Sequence, residues 1–329
     1  MQVDTRTDTM SNIASYYGVN SQKLQRHYKH EVSGYKLWNQ LNHAEEYILY
    51  PENITDKISI DEVSLSKGEL YTVVTNKKVK AQNKKSIIAI INGTESQTIQ
   101  EVLNKIPLEK RLNVKEVSMD MARNMALAAN NCFANSASVI DRFHVVRLVM
   151  DSLQHIRVKL RWQAIEDDNA AISQAKQAGE KYKPQILANG DTLKELLVRS
   201  KYLLYKFEAD WTVSQSLRAK ILFEKYPILK SVYNLTISFR NIYKTVTKSD
   251  ASIKFYDWKQ KALAMKIDEI NSVVYSLEYH LDNILNFFDN RSTNAYAESF
   301  NSKIKAFRAN LRGVTDIKFF LFRLEKLFA

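Results

Sequence analysis

The hydrophobic period of this chain changes twice, and that change limits the possible folds more than any single motif does. Between about residues 56 and 92, stretches rich in Ile, Val, Tyr and Thr are separated by turn residues, which predicts three antiparallel strands. From about 143 to 287 apolar residues recur at helical spacing, and no convincing strand occurs. With only 7 Gly and 4 Pro in the chain, a turn-rich all-β architecture is excluded.

The segment between these two blocks predicts alternating helices and strands. A helix near 95–106 precedes a strand that ends at Asp120, and a helix near 122–131 precedes a short strand that ends at Asp141. Three antiparallel strands followed by this alternation are typical of a ribonuclease-H-like (RNase H-like) sheet. We therefore predict an α/β fold, an RNase H-like catalytic domain interrupted by a large all-α insertion, with a small N-terminal helix-turn-helix. The expected ranges are 1–50 for the helix-turn-helix region, 56–145 for the first part of the core, 146–287 for the α-helical insertion, and 288–329 for the last part of the core.

The charge balance indicates a polyanionic partner. The 48 Lys and Arg exceed the 36 Asp and Glu, for a formal net charge of +12 and a pI near 9.4. Such a surplus supplies the salt-sensitive, non-specific part of nucleic-acid affinity. The chain has no long apolar run and its N-terminal stretch lacks a signal-peptide core, so we expect a cytoplasmic, nucleoid-associated protein that does not enter a membrane. A single cysteine, Cys132, excludes a disulfide framework and a cysteine-based zinc site within this chain.

Residues 11–29 fit a small helix-turn-helix. Ala14 allows close approach of two helices, Gly18 suits the turn, and Leu24 lies on the inner side of the second helix. A plain amphipathic helical hairpin has the same pattern. In the first case four outward side chains would contact base edges and phosphates: Gln22, Lys23, Gln25 and Arg26.

Two acidic residues lie at strands. Asp61 interrupts the apolar stretch that begins at Ile58, and a carboxylate in a central strand is costly unless it is paired or binds a metal. Asp120 ends the strand that precedes the second helix, at the carboxyl edge where α/β sheets collect ligands. Asp120 could instead be the N-cap of that helix, since Asp is a favoured cap.

Glu298 stands on a helix predicted from about Thr293 to Arg308. The spacing places Asn294, Asn301 and Lys305 on the same face as Glu298, opposite an apolar face. Magnesium prefers a few carboxylates together with phosphate oxygens, so three acids of this kind would form a site for phosphodiester chemistry. The alternative is a solvated polar face.

A further cluster, Asp141-Arg142-Phe143-His144, opens the long helical block. Asp141 and His144 could orient a metal-bound water, the cluster could hold a backbone phosphate, or the pair could be a helix cap with a hydrogen-bonded histidine. A zinc site is disfavoured, because no further ligands occur at suitable spacing. Three tryptophans in the block could stack on an extruded base, although large aromatics are usually buried in a core: Trp162, Trp211 and Trp258.

Four segments resemble DDE transposases of the bacterial ISL-three insertion-sequence family, relatives of the Mutator-like elements: IDEVSLSKGELYTVVTNK, VKEVSMDMARNM, SVIDRFHVVRLV and NAYAESFNSKIKAFRANLRGVTDIKFFLFRL. The resemblance implies that Asp61, Asp120 and Glu298 are the catalytic acids and that they bind two Mg²⁺ or Mn²⁺ ions. Asp141 and His144 then form an accessory pair, although Asp141 as the second catalytic acid remains an alternative. Further accessory and phosphate-binding positions would be Asn294, Asn301, Lys303, Lys305, Arg308 and Arg312.

The resemblance also implies an activity and partners. The protein would hydrolyse phosphodiester bonds at insertion-sequence ends and join the 3′-hydroxyl to target DNA, as a homodimer or higher assembly on double-stranded DNA. Such transposases usually carry an N-terminal zinc-binding module, whose cysteines this chain lacks, so the module would be encoded separately or the copy would be a shortened one. Two alternatives remain open: a catalytically silent or domesticated DNA-binding protein, and a structure-selective RNase H-like nuclease.

Overall fold

A computed structural model describes residues 2–66, 68–78 and 85–329, which form two compact units. We call Met1–Asp141 together with Asn290–Ala329 the sheet unit, and Arg142–Asp289 the helical unit. No described helix is both long enough and apolar enough to cross a membrane.

The sheet unit begins with short helices, continues through six strands, and ends with two helices. In chain order its elements are α1 (Gln2–Thr5), α2 (Met10–Tyr16), α3 (Ser21–His27), a π-helical turn (Tyr28–Val32), a 3-10 turn (Tyr35–Leu37), β1 (Tyr47–Leu49), a 3-10 turn (Pro51–Asn53), β2 (Lys57–Ser66), β3 (Glu69–Asn76), β4 (Ile87–Asn92), α4 (Ser96–Leu103), α5 (Leu108–Leu112), β5 (Glu116–Met119), α6 (Arg123–Cys132) and β6 (Ala137–Ile140). The helical unit contains α7 (Arg142–Gln177), α8 (Leu193–Arg199), 3-10 turns (Leu203–Tyr205, Glu208–Asp210), α9 (Val213–Lys225), α10 (Pro227–Ile242), α11 (Lys248–Ala264), α12 (Asp268–Tyr279), α13 (Leu281–Leu285) and α14 (Phe287–Asn290); α15 (Ala295–Asn310) and α16 (Ile317–Phe328) return to the sheet unit.

The sheet has the strand order β1-β4-β3-β2-β5-β6. β2, β3 and β4 pair antiparallel, while β2, β5 and β6 pair parallel. The predicted antiparallel and parallel strands are thus confirmed. The edge strand β1, antiparallel to β4, was not predicted, because three residues are too few to show a period.

Successive side chains of β2 point to opposite faces of the sheet, and each face is covered by different helices. Ile58 and Ile60 point into an apolar cluster with residues of α4 and α6. The opposite face is polar at Asp61 and becomes apolar at Val63 and Leu65, which pack in a second cluster with side chains of α15 and α16. α15 changes in the same order, with polar side chains in its first two turns and buried Phe300, Ile304 and Phe307 after them. Each fully buried Phe of this kind stabilises the fold by about 1.5–3 kcal/mol.

The N-terminal helices α2 and α3 pack on the same cluster. Gly18 lies between them with a φ of 65°, a left-handed conformation that glycine adopts without strain. Met10, Ile13 and Tyr28 are buried, whereas four side chains of α3 face solvent as predicted, namely Gln22, Lys23, Gln25 and Arg26. The pattern is two short helices joined by a turn, with a polar outer face.

Every regular element described within the helical unit is helical. Its longest helix, α7, has 36 residues and is about 54 Å long at 1.5 Å per residue. A buried carboxylate, Asp191, accepts hydrogen bonds from Arg199 and from Arg218, and the Arg218 contact measures 3.0 Å. These contacts join α8 and α9.

Candidate functional site

Asp61 lies buried in the middle of β2 and faces α15. Its Oδ2 accepts a hydrogen bond of 2.7 Å from Nδ2 of Asn301, and its Oδ1 accepts one of 2.8 Å from the backbone N–H of Glu62. The acceptor at Asp61 defines which end of the Asn301 amide carries the nitrogen. α15 therefore holds this carboxylate by an uncharged donor.

Asp141 directly follows β6 and is buried on the same face of the sheet. Its Oδ2 accepts a hydrogen bond of 2.7 Å from the backbone N–H of Asn294, the residue before the first turn of α15. The side chain of Asn294 in turn accepts a hydrogen bond of 3.2 Å from Ser118 in β5. The start of α15 is thus fixed to the ends of β5 and β6.

α15 therefore crosses the ends of β5 and β6 and the middle of β2. Asn294 contacts the β5–β6 side and Asn301 contacts β2, and seven residues of helix span about 10.5 Å. Two strand spacings amount to about 9.6 Å, so the helix face and the strand row match in length. Glu298 lies half-buried between the two asparagines, and one of its carboxylate oxygens is within 4.8 Å of a carboxylate oxygen of Asp141. The polar face of α15 is buried at both asparagines, so the alternative of a solvated face is wrong there.

Asp120 falls in the same row of positions. Ser118 is level with Ser59 of β2, and Met119 is level with Ile140 of β6. Extending this register places Asp120 level with both Asp61 and Asp141. The N-cap of α6 is Ala122, so the alternative that Asp120 caps this helix is wrong.

Asp120 also changes the ionisation of a neighbouring acid. Burial raises the pKa of Glu62, and the charge of Asp120 raises it further, against a hydrogen bond from Asn124 that lowers it. Two carboxylates that repel each other in this way favour the arrival of a cation.

Glu116, which the sequence analysis did not single out, forms a buried ionic cluster next to this row. It accepts hydrogen bonds from Lys57 at 3.2 Å, from Lys77 at 3.0 Å, and from the hydroxyl of Ser292. Burial raises the pKa of Glu116, but the Ser292 and lysine contacts outweigh it, so the pKa lies below its usual value. Ser292 lies just before α15, so this cluster helps fix where the helix begins. The alternation Glu116, Ser118, Asp120 on one strand face was the signal that could have revealed it.

The donor set suits a hard divalent cation. Asp141 and Glu298 offer carboxylate oxygens that lie within 4.8 Å of each other, and Mg²⁺ and Mn²⁺ prefer oxygen ligands; Asp61 and Asp120 are not part of this group among the described residues. Oδ1 of Asn301 is a buried oxygen for which the described residues provide no hydrogen-bond donor. The thiol of Cys132, by contrast, is buried in the apolar cluster under α4 and α6.

The predicted phosphate-binding residues are spread along the second half of α15 and the turn after it. Lys305 and Arg312 are exposed, and Lys303 is half-exposed. Arg308 donates a hydrogen bond of 3.1 Å to the carbonyl oxygen of Ser64, which ties its guanidinium to β2. Its remaining donors can still bind an anion.

The other predicted residues lie in the helical unit. His144 is half-buried in the first turn of α7. Trp258 is buried and donates to the carbonyl of Leu235, and Trp211 is half-buried and donates to that of Leu203, which supports the core interpretation for both. Trp162 is 57% exposed, so the core interpretation is wrong for this residue.

Comparison with known proteins gives one family. A family model described as a transposase, that of the ISL-three type of DDE enzymes, matches residues 58–324, which include nearly all of β2 and most of α16. Among curated proteins, none is significantly similar to this chain.

Proposed function

This chain belongs to the ISL-three family of DDE transposases, and we propose that it cuts DNA at insertion-sequence ends and joins the freed 3′-hydroxyl to target DNA. The observation that carries the proposal is a row of acids, Asp61 within β2, Asp120 after β5 and Asp141 after β6, crossed by a helix that adds Glu298. The strand order, three antiparallel strands followed by two parallel ones, supports an RNase H-like catalytic core.

We assign Asp61, Asp120 and Glu298 as the catalytic acids, with Asp141 and His144 as accessory groups. Asn301 orients Asp61 and Asn294 orients Asp141, so both carboxylates are positioned before substrate arrives. Preorganised groups of this kind need no rearrangement during the reaction. Asp141 is the alternative second acid, because it lies close to Glu298.

Two Mg²⁺ or Mn²⁺ ions bound by these acids would activate water or a 3′-hydroxyl and stabilise the leaving oxygen. The protein's own part is to hold the acids in a row and to place the scissile phosphate beside it. Lys303, Lys305, Arg308 and Arg312 follow Glu298 on α15 and in the next turn, where they would contact the backbone phosphates of the bound strand.

The exposed face of α3 is proposed as a second contact with duplex DNA. Its Gln and basic side chains suit base edges and phosphates, and the turn at Gly18 resembles that of a helix-turn-helix. Related enzymes act as assemblies on DNA, so a homodimer or higher oligomer is proposed with the two DNA segments, element end and target. A separately encoded zinc-binding module would supply further recognition of the ends.

The test uses DNA that flanks the gene, carried on a plasmid, with Mg²⁺ and the full-length protein. We expect cleavage that EDTA abolishes, and at least about a thousandfold slower cleavage for Asp61→Asn, Asp120→Asn and Glu298→Gln. DNA binding should stay within a few-fold, and Glu224→Gln, an exposed acid on α9, is the matched control that should leave the rate unchanged.

A second readout separates transposase from nuclease. A labelled 3′-end should become joined to an added target plasmid. Nicking that depends on the three acids but never yields joined product would assign a nuclease instead, and full activity of Glu298→Gln would refute the site itself.

A further inference from the structure

The helical unit contains a cavity of about 630 Å³ that lies beside the first three turns of α7. Its volume falls in the usual range of small-ligand pockets, about 300–1,000 Å³. Its wall includes four cationic side chains, four aromatic ones and one carboxylate. The cations are Arg142, Arg147, Arg240 and Lys244, and the carboxylate is Asp151.

Two cations of this cavity, Arg240 and Lys244, lie over the same aromatic ring. The guanidinium of Arg240 lies 3.9 Å from the centre of the Phe207 ring, and Nζ of Lys244 lies 4.9 Å from it. Arg240 also donates a hydrogen bond of 3.0 Å to the carbonyl of Tyr205. A guanidinium held in this way loses little conformational entropy when an anion binds.

The single carboxylate does not neutralise the wall. Asp151 lies 3.5 Å from Arg147 and accepts a hydrogen bond of 3.2 Å from Tyr205. Arg142, Arg240 and Lys244 remain as cationic surface for a ligand. Burial lowers the pKa of Arg240, whereas Tyr233 and Asp210 raise it. The charge of Arg142 lowers this pKa further, and a phosphate nearby would offset the repulsion from Arg142.

The cavity also presents an exposed aromatic surface. The ring of Phe143 is 56% exposed and lines the cavity. An aromatic face beside fixed cations suits a nucleobase joined to a phosphate, because the base stacks and the phosphate pairs. A base inside a duplex hides its faces against its neighbours, so only an unpaired nucleotide could use this surface.

We propose that this cavity binds one unpaired nucleotide of a DNA strand, with the base against Phe143 and the phosphate on Arg142 and Lys244. The choice of DNA as the source rests on the proposed function; the chemistry of the pocket would also accept a free nucleotide.

The test measures binding without divalent metal, so cleavage cannot interfere. A short duplex carries one extrahelical 2-aminopurine, whose fluorescence falls when it stacks on an aromatic ring. Full-length protein should bind this duplex about tenfold more tightly than the fully paired duplex, and should quench the probe. Free 2-aminopurine nucleoside monophosphate should bind far more weakly than the same nucleotide within the duplex.

Two pairs of exposed residues are suitable for the test, and each pair combines one cavity residue with one control residue outside the cavity. Phe143→Ala should remove the preference and the quenching, whereas Tyr275→Ala, a similarly exposed ring on α12, should keep both. Lys244→Gln should reduce the preference several-fold, whereas Lys254→Gln, exposed on α11, should not. Circular dichroism would verify that all four variants fold.

The outcomes are decisive in each direction. Equal affinity for paired and unpaired duplexes, or an unchanged preference in Phe143→Ala, would overturn the proposal. Equal affinity for the free nucleotide and the extrahelical one would overturn DNA as the source. Because the readout is metal-free binding, a loss of cleavage in the acid variants leaves it unaffected, and the two proposals can fail separately.

Discussion

Two buried aspartates of the sheet unit and one of the helical unit have different partners. In the sheet unit, Asp61 and Asp141 accept hydrogen bonds from amide groups of α15 and its N-cap. In the helical unit, Asp191 is paired with the guanidinium groups of Arg199 and Arg218. An arginine neutralises an acid where it stands, whereas an amide donor fixes the position of the acid and adds no positive charge. The arginine contacts of Asp191 join two helices, whereas the amide contacts of Asp61 and Asp141 prepare a site for a cation.

The largest effect expected from this contrast concerns the second acid. With the roles proposed above, Asp120→Asn should slow cleavage by at least about a thousandfold and Asp141→Asn by roughly 10- to 100-fold, since the first would remove a metal ligand and the second an orienting group. Cleavage rates at saturating Mg²⁺ measure the difference. If Asp141→Asn shows the larger loss while Asp120→Asn stays active, the two roles must be exchanged.

Removing an amide contact should reduce activity less than removing the acid that the amide holds. Asn301→Leu keeps the size of the side chain but removes the donor to Asp61 and the buried Oδ1, so we expect a loss of roughly 10- to 100-fold in activity. Part of the loss should appear as a higher Mg²⁺ requirement, read from rates over a metal titration. Asn310→Leu, on the exposed end of the same helix, is the control, and equal behaviour of the two variants would remove Asn301 from the site.

The arginine-paired acid should affect stability and leave the chemistry intact. Asp191→Asn leaves Arg199 and Arg218 without their charge partner, and since both are partly exposed we expect a loss of about 1–3 kcal/mol in the free energy of unfolding. Thermal unfolding measures this effect. The specific cleavage rate of the folded variant should equal that of the wild type, and a thousandfold loss of rate would contradict the contrast.

The smallest effect is a pH dependence of the Glu116 cluster. Because the pKa of Glu116 lies below its ordinary value near 4.5, its contribution to stability is present above that pH and is lost as the pH falls through the folded pKa. Glu116→Gln should therefore lower the melting temperature at neutral pH, and this difference from the wild type should shrink below about pH 4. A difference that stays constant across pH would show that Glu116 contributes by packing alone.

The sequence predicted the elements better than their contacts. The strands around Asp61 and before Asp120 follow from β-branched residues and alternation, which are local properties of the chain. The helix that carries Glu298 follows from spacing, although its polar face fitted a solvated surface equally well. Only the fold decides between these, since Asn301 and Asp61 are 240 residues apart.

What the sequence could not predict depends on such distant pairs. Glu116 meets Lys77 and Ser292 from separate segments, and the cavity at Phe143 combines residues of α7, α10 and the 3-10 turn at Tyr205. No hydrophobic period in the local sequence indicates these contacts between distant segments. Likewise β1 is too short to predict, and it owes its place to pairing with β4.

The attachment of α15 to both ends of the acid row has a consequence for synthesis of the protein. Asn294 follows Asp141 by 153 residues, and ribosomes add about 5–20 residues per second, so roughly 8–30 s pass between them. During that interval the strands that carry Asp61 and Asp141 exist without the helix that orients these carboxylates. The proposed cleavage site is therefore incomplete in the growing chain until α15 has been released and has packed on the strands.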